Sequence, residues 1–168
     1  MTSTSGVPPS GMPPSAIQVD RAVAAQLLEA KFRSDIPITG AIDVRVREFS
    51  GDRIVLTAPL APNVNVHGTG FAGSIYALGA LCGWGLIFLS LREAGIAGSL
   101  VMTEATIRYA RPITGELVAT CDVQSNADFC NAMDKYRRAG RARFDLPVTI
   151  GAASAPAAEL SARYIVRR

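Results

Sequence analysis

The hydrophobic and polar positions of this chain repeat first at a helical period and then at a strand period. After Asp20, a residue type that caps helices, apolar residues recur every three to four positions and predict a first helix, carried by Val23, Leu27, Leu28 and Phe32. Ile36-Pro37 ends this helix, because a residue before proline avoids the α region. From Ala41 to Phe49 apolar and charged residues alternate, and Arg53 to Ala58 returns after a short polar turn. This second period predicts a β-hairpin.

A long uncharged segment follows the hairpin. Phe71 to Leu91 contains no formal charge and comes after Pro59 to Gly70, an irregular loop rich in Pro, Asn and Gly. Such a helix is long enough to cross a bilayer. No cluster of basic residues or belt of aromatic residues flanks it, and the neighbouring amphipathic strands need an apolar surface to cover. These features favour a buried core helix over a membrane span.

Strand-like segments make up most of the remaining chain. Four are predicted after the long helix: Leu100–Tyr109, Glu116–Gln124, Arg141–Ile150 and Ala157–Val166. Phe129 to Arg138 is interpreted either as a short helix or as a bulged connection. The predicted order is therefore α, β, β, long α, β, β, β, β. Strands joined by short turns, with one long apolar helix, predict an α+β fold in which an antiparallel sheet packs on that helix.

Composition narrows the class of protein. A chain of 168 residues fits one domain, predicted over residues 16–168, and the Pro-, Ser- and Gly-rich residues 1–15 predict a disordered tail. This tail lacks the basic and apolar regions of a signal peptide. The formal net charge of +3 is too small to indicate a nucleic-acid partner without a concentrated basic face.

The three cysteines point to a reducing compartment. Their odd number and the lack of a C-x-x-C pair disfavour a disulfide framework or a zinc site. Cys82 and Cys121 lie in apolar segments and are interpreted as small buried side chains. A cytoplasmic location is therefore expected.

Two segments carry a resemblance to a known family. Asn65 to Ser74 reads NVHGTGFAGS, and Val101 to Gly115 reads VMTEATIRYARPITG. Together they resemble the thioesterase-like domain at the C-terminus of YiiD-type proteins, a branch of the hotdog superfamily, and the resemblance extends over Ile36–Val166. It implies a curved antiparallel sheet wrapped around a central helix, and a homodimer or dimer of dimers with active sites at the interface. It also implies an acyl-CoA or acyl-carrier-protein thioester as substrate, with no metal or redox cofactor.

The start of the long helix is the predicted oxyanion site. Thioester hydrolysis builds negative charge on the carbonyl oxygen, and the first N–H groups of a helix have no intrahelical acceptor. The glycine-rich approach through Gly68 and Thr69 permits a sharp bend, and Gly73 permits close approach of a ligand. Gly73 and Ser74 are therefore predicted to bind the oxyanion. The alternative is that these glycines only allow the turn and the contact between helix and sheet.

Polar residues before the turn supply candidate catalytic groups. Asn65 can orient a water molecule or hold the thioester carbonyl, and His67, the one histidine of the chain, can act as a base. The alternative for His67 is a loop residue bonded to backbone. The acyl chain is predicted to lie along the helix beside Phe71, Tyr76 and Trp84.

The acid that many hotdog thioesterases carry in the central helix is missing here. No Asp or Glu occurs between Ser74 and Leu91. Glu104, on the following strand, is the nearest candidate, since a desolvated carboxylate can serve as a base. Its alternative is a structural carboxylate paired with Arg108 or Arg111.

A basic segment offers a second contact with the substrate. Arg137, Arg138 and Arg141 stand close together, with Lys135 and Arg143 beside them. They are interpreted either as a solvated edge or as a landing site for coenzyme A phosphates or an acidic carrier protein.

The favoured function is acyl thioester hydrolysis. Two rivals remain. One is hydration or dehydration of an acyl thioester on the same fold, which needs a helix carboxylate that this chain lacks. The other is a non-catalytic module that binds acyl thioesters.

Overall fold

The computed structural model describes residues 21–168. The predictions of a tail over residues 1–15 and of a helix cap at Asp20 fall outside these residues. The helices are α1 (Arg21–Asp35), α2 (Ile38–Ile42), α3 (Ala72–Glu93) and α4 (Ala127–Ala139). The strands are β1 (Arg45–Phe49), β2 (Arg53–Ala58), β3 (Ser99–Tyr109), β4 (Leu117–Asp122), β5 (Arg141–Ala152) and β6 (Ala155–Arg167).

The six strands form one antiparallel sheet in the order β1-β2-β4-β5-β6-β3. The sheet curves around α3, which contacts β2, β3, β4, β5 and β6. This is the α+β hotdog architecture, and it confirms the predicted fold class. Helix α1 packs against β1 and closes the side of α3 that the sheet leaves open.

Helix α3 is the core of the molecule. It is long and apolar enough to span a membrane by length and composition, but 67% of its most apolar window is buried inside the protein. Its buried side includes Leu78, Cys82, Leu86 and Ile87, which have 0% exposure. A helix that is apolar on nearly all sides is expected where a sheet wraps around it. The prediction of a core helix is therefore confirmed.

The first predicted strand begins too early. Ala41–Phe49 was expected to be extended throughout, but Ile38–Ile42 forms a short helix and β1 begins only at Arg45. The chain turns at Asp43, whose left-handed backbone (φ 57) ends the helix. The Asn63 side chain also fixes this turn, because its Nδ2 donates to the Ile42 carbonyl at 2.8 Å. Tertiary contact thus overrides the alternating pattern.

Helix α4 resolves the ambiguous segment in favour of a helix, and the predicted element order lacked both α2 and α4. Asn126 caps α4 by accepting from the Phe129 N–H at 3.1 Å, and Gly140 ends it in the left-handed conformation. Strand β4 pairs with β5 only at Ala119 and Thr120. Helix α4 packs beside the rest of β5, where Phe129 contacts the Phe144 ring.

Candidate functional site

The approach to α3 is a tight loop organised by one side chain. Asn65 uses both ends of its amide inside the loop: Nδ2 donates to Thr69 Oγ1 at 3.0 Å and to the Gly70 carbonyl at 3.2 Å. Its Oδ1 accepts from the N–H of His67 at 2.8 Å and of Thr69 at 3.2 Å. Asn65 therefore sets the shape of the loop. A ligand can contact its amide only while these bonds within the loop are kept.

Backbone bonds tie the same loop to its surroundings. Gly70 N–H donates to the Ile113 carbonyl at 2.8 Å, and Phe71 N–H donates to the Asn63 carbonyl at 2.7 Å. Gly68 takes a left-handed backbone (φ 73), which the turn requires and which glycine adopts at low cost. His67 stands at the exposed tip of the turn. The backbone bonds to Ile113 and Asn63 therefore fix the junction between the loop and α3.

The first turn of α3 leaves backbone donors available. Phe71 is the N-cap and provides no side-chain cap. Ile75 N–H is the first donor to find a helical acceptor, the Phe71 carbonyl at 3.0 Å. Among residues 21–168 no acceptor bonds the N–H groups of Gly73 and Ser74, in keeping with the free donors of a helix start. Together with the positive end of the helix dipole, they form a site suited to an oxyanion.

Aromatic rings border this site. Phe71 is 53% exposed and lies across Gly73, where a Cβ would approach Phe71 Cε1 to 2.5 Å. Tyr109, at the end of β3, donates its hydroxyl to the Ala72 carbonyl at 2.9 Å. Burial raises the pKa of the Tyr109 phenol, with a smaller contribution from Tyr76. The phenol therefore stays protonated and remains a donor across the ordinary pH range.

Tyr109 and Ile113 are members of the site that the pattern of residues did not select. Both lie beyond α3 in sequence, and they reach its first turn only because β3 runs antiparallel to β6 and ends beside the loop. An aromatic residue at the end of a strand has no distinguishing sequence pattern. The contact depends on the curvature of the sheet.

Glu104 does not lie at this site within the chain. Its side chain is 64% exposed and pairs with Arg163 at 2.5 Å, so the predicted desolvation is wrong, as is the predicted pairing with Arg108 or Arg111. Glu104 stands opposite Arg163 in the register of β3 and β6, on the face turned away from α3. It is also about 17 Å along the strand from Tyr109.

The central helix has a packing reason for lacking an acid. A Cβ at Gly79 would meet the side chains of Ile150 and Leu160 at 3.4 Å, so this position is in contact with the apolar inner face of the sheet. Leu78 and Leu81 on either side are buried as well. A carboxylate there would be desolvated without a partner, at a high cost in free energy.

Trp84 lies apart from Phe71 and Tyr76. It is 12 residues after Ala72, which is about 18 Å along the helix. Its indole N–H donates to the Leu100 carbonyl at 3.1 Å, and its ring stacks on Phe88. The first turn of α3 and the surroundings of Trp84 are therefore two different places.

The basic residues gather at the far end of the sheet. Arg137 and Arg138 are in the last turn of α4, and Arg141 begins β5 directly opposite Arg167 on β6. Like charges directly opposite each other on neighbouring strands are destabilising. Lys135, Arg141 and Arg143 also line a groove of about 1060 Å³ between α4 and the sheet. The register places this cluster beside Ser99, about 33 Å from Tyr109 along β3.

Comparison with known proteins places this arrangement in a family. Residues 25–168 match a family described as "Putative thioesterase (yiiD_Cterm)". A protein of unknown function from Chlorobaculum tepidum is 27% identical, with a TM-score of 0.82 over 88% of this chain and 96% of its own. A "putative thioesterase" from Shewanella oneidensis is 26% identical, with a TM-score of 0.79 over 88% and 99%.

A more distant structure shows the same fold. The Pseudomonas aeruginosa protein PA5026 is 22% identical and has a TM-score of 0.71 over 84% of this chain and 94% of its own. Sheet, central helix and loop all lie inside the matched residues. The chain belongs to the YiiD C-terminal family of thioesterase-like hotdog proteins.

Proposed function

We propose that the protein hydrolyses acyl thioesters of coenzyme A or of acyl carrier protein. The observation that carries the proposal is the start of α3, where the N–H groups of Gly73 and Ser74 have no acceptor within the described residues and a fixed loop stands beside them. Water attacks the thioester carbon and gives its proton to a base. The carbonyl oxygen gains negative charge against the two N–H groups, and the C–S bond then breaks to release a thiol and an acid.

Asn65 and His67 are the proposed groups on the water side. Asn65 holds the backbone of His67 through its Oδ1, which keeps His67 at the edge of the site. Phe71 and Tyr76 border the first part of the acyl chain, and Thr69 lies between the loop and the helix start. Glu104 was the other predicted base. Because it pairs with Arg163 away from the start of α3, it serves as the control residue for Asn65 and His67.

We also propose that the working unit is a dimer formed through β3. This strand ends the sheet and is bonded to β6 on one side only, which leaves a long unpaired edge. Val101 on it is 51% exposed. Native proteins seldom leave such an edge uncovered. Antiparallel pairing of two β3 strands about their middle sets Ser99 of one copy against Tyr109 of the other. The basic cluster of one copy then lies near the loop of the second, where it is proposed to receive phosphates or an acidic carrier.

The test measures free thiol released from acyl-CoAs of several chain lengths. Asn65→Ala is expected to lower kcat on the order of 10²-fold, because it removes the bonds that shape the loop beside the oxyanion site, and a small misplacement at a site can cost this much. His67→Ala should lower it similarly if the imidazole is the base, whereas Glu104→Gln should keep the parent rate. KM should change little in each case.

A glycine pair supplies the matched control for the oxyanion site. Gly73→Ala introduces a methyl group against Phe71, whereas a Cβ at Gly115 meets nothing within 4 Å. Gly73→Ala should lower kcat and Gly115→Ala should not. If neither Gly73→Ala nor Asn65→Ala affects turnover in folded protein, the site is wrongly placed. If the parent binds acyl-CoA and releases no thiol, the protein is a binding module, a reading that the missing helix acid favours.

A further inference from the structure

A second cavity lies at the opposite end of α3 from the proposed oxyanion site. It is open to solvent on one side, has a volume of about 510 Å³ and is bordered by the last turns of α3, by Lys31 of α1, and by the segment that leads into β3. Small-molecule sites commonly have 300–1,000 Å³. The cavity therefore has the size of a ligand site.

The floor of this cavity is apolar and rigid. Trp84 and Phe88 stack with ring centroids 5.1 Å apart and an angle of 14° between their planes. The one polar atom of the indole is already used, because it donates to the Leu100 carbonyl at 3.1 Å. Leu91 and Ile96 extend the apolar lining. These surfaces suit an alkyl chain or a ring that makes no hydrogen bonds.

Small residues keep the mouth of the cavity open. Gly95 has a left-handed backbone (φ 68), and nothing lies within 4 Å of the position its Cβ would take. Gly98 cannot carry a side chain, because a Cβ there would lie 2.1 Å from Tyr136 Oη. Tyr136 in turn donates to the Ala97 carbonyl at 2.5 Å, which fixes the Gly95–Gly98 segment at the rim.

Two cations stand at the rim. Lys31 Nζ lies 5.3 Å from the Phe88 ring centroid, and the Arg92 guanidinium lies 5.9 Å from it. Lys31 forms an ion pair with Asp35 at 2.6 Å. Arg92 forms no ion pair with a carboxylate of residues 21–168. The rim therefore carries an excess of positive charge above an apolar floor.

We propose that this cavity binds an amphipathic monocarboxylate, with its alkyl or aryl part on Trp84 and Phe88 and its carboxylate between Lys31 and Arg92. The charge of the rim selects an anion, and the apolar floor selects a ligand with a hydrophobic body. Guanidinium and ammonium groups both bind carboxylates, and the low polarity of the floor strengthens the attraction. Within the chain the site is separate from the start of α3, because Gly73 and Phe88 are about 22 Å apart along the helix. In the dimer proposed above, the start of β3 beside this cavity lies against Tyr109 of the other copy, so the cavity is next to that copy's oxyanion site.

The chain provides its own reporter for this site. Trp84 is the one tryptophan of the sequence, so its fluorescence reports on the floor of the cavity alone. Octanoate should shift and saturate the emission of the full-length protein, whereas octylammonium should give no saturable change. Octanol should bind several-fold more weakly than octanoate, because it lacks the charge.

Charge-removing variants identify the contact. Lys31→Met and Arg92→Gln keep most of the side-chain volume, and each should weaken octanoate binding about fivefold, the scale of a partly exposed ion pair. Neither should alter the binding of octanol. Arg33→Gln is the matched control, since Arg33 is also on α1 but pairs with Glu29 outside the cavity.

Three outcomes would overturn the proposal. Equal binding of octanoate and octanol, unaffected by the two variants, would show an apolar groove without an anion site. An emission that responds to protein dilution and not to octanoate would show that a second copy covers the cavity. An emission unchanged by either would show that the cavity is closed in solution. Asn65→Ala, which is expected to lower turnover, should titrate with octanoate like the parent, so failure of the proposed hydrolysis would be seen in the thiol assay and not in this titration.

Discussion

Three buried groups between α3 and the sheet are held in their neutral forms by their surroundings. The Cys82 thiol lies 3.4 Å from the Ala119 carbonyl, and the Tyr164 hydroxyl donates to the Ala80 carbonyl at 2.8 Å. Burial raises the pKa of the Cys121 thiol to about 12 and raises the pKa values of Cys82 and Tyr164 as well. The interior between helix and sheet thus resists ionisation.

Because the folded protein keeps these groups neutral, we expect it to lose stability at high pH. Because the folded pKa of Cys121 exceeds its unfolded value, its contribution is complete below about pH 9 and is lost as pH rises toward about 12. The free energy of unfolding should fall by about 1.4 kcal/mol per pH unit for each such group in that range. Urea unfolding under reducing conditions at about pH 8 and about pH 10 measures the slope.

A substitution separates this effect from general alkaline denaturation. Cys121→Ala should reduce the slope by roughly one group, whatever its effect on stability at neutral pH. The matched control is Cys130→Ala, since Cys130 is exposed on α4. A parent whose stability is flat between these two pH values would contradict the explanation.

At the scale of elements, small residues allow the sheet to close on α3. A Cβ at Gly83 would lie 2.5 Å from Tyr164 Oη, and one at Gly85 would lie 2.9 Å from Leu28 Cδ2. Gly83 therefore sets the distance to β6, and Gly85 sets the distance to α1. The high Ala and Gly content of the chain has its physical explanation in these close contacts.

Two glycine-to-alanine changes in helices should have opposite signs. Gly83→Ala forces Tyr164 away from the Ala80 carbonyl and should lower the free energy of unfolding by about 1–3 kcal/mol. Gly40→Ala in α2 meets nothing within 4 Å and should raise it by roughly 0.5–1 kcal/mol, the gain in helix propensity. Denaturant midpoints measure both. Equal effects would show that packing on Tyr164 does not restrict Gly83.

At the scale of the molecule, the open edge of β3 should pair with a second copy. Val101→Lys places a charge on this edge and is expected to shift light-scattering mass toward the monomer. Val23→Lys is the matched control, because Val23 is also 51% exposed but lies on α1. A parent that is monomeric at micromolar concentration would remove the proposed dimer and leave the fold unchanged.

Mixed dimers test whether the basic cluster serves the other copy. Asn65→Ala impairs the loop, and the double variant Arg138→Gln, Arg141→Gln impairs the cluster. If the cluster acts across the dimer, mixing the two variants gives heterodimers with one intact site. Turnover at low acyl-CoA should then recover well above that of either variant alone. If each cluster serves its own chain, no heterodimer site is intact and no recovery should appear.

The local sequence was enough to predict most helices and strands and part of the candidate site. Hydrophobic periodicity placed α1, the core helix α3 and the later strands, because these segments bury one face or all faces over many residues. The resemblance to the YiiD-type family was confirmed by the family match over residues 25–168. The loop from Asn65 to Ser74 could be read from sequence because its residues are consecutive, and a glycine-rich turn into an uncharged helix is visible in the residues themselves.

Only the tertiary structure decided what depends on contacts between distant segments. Asn63 holds Ile42 in a helix where alternation predicted a strand. The register of β3 and β6 places Glu104 beside Arg163 on the outer face of the sheet. Its position in an apolar run had predicted burial, but its side chain is exposed. Sheet curvature brings Tyr109 to the start of α3, and packing of α1 on α3 creates the cavity at Trp84. The hydrophobic period of a segment shows which of its faces is buried. Which other element packs against that face depends on the tertiary structure.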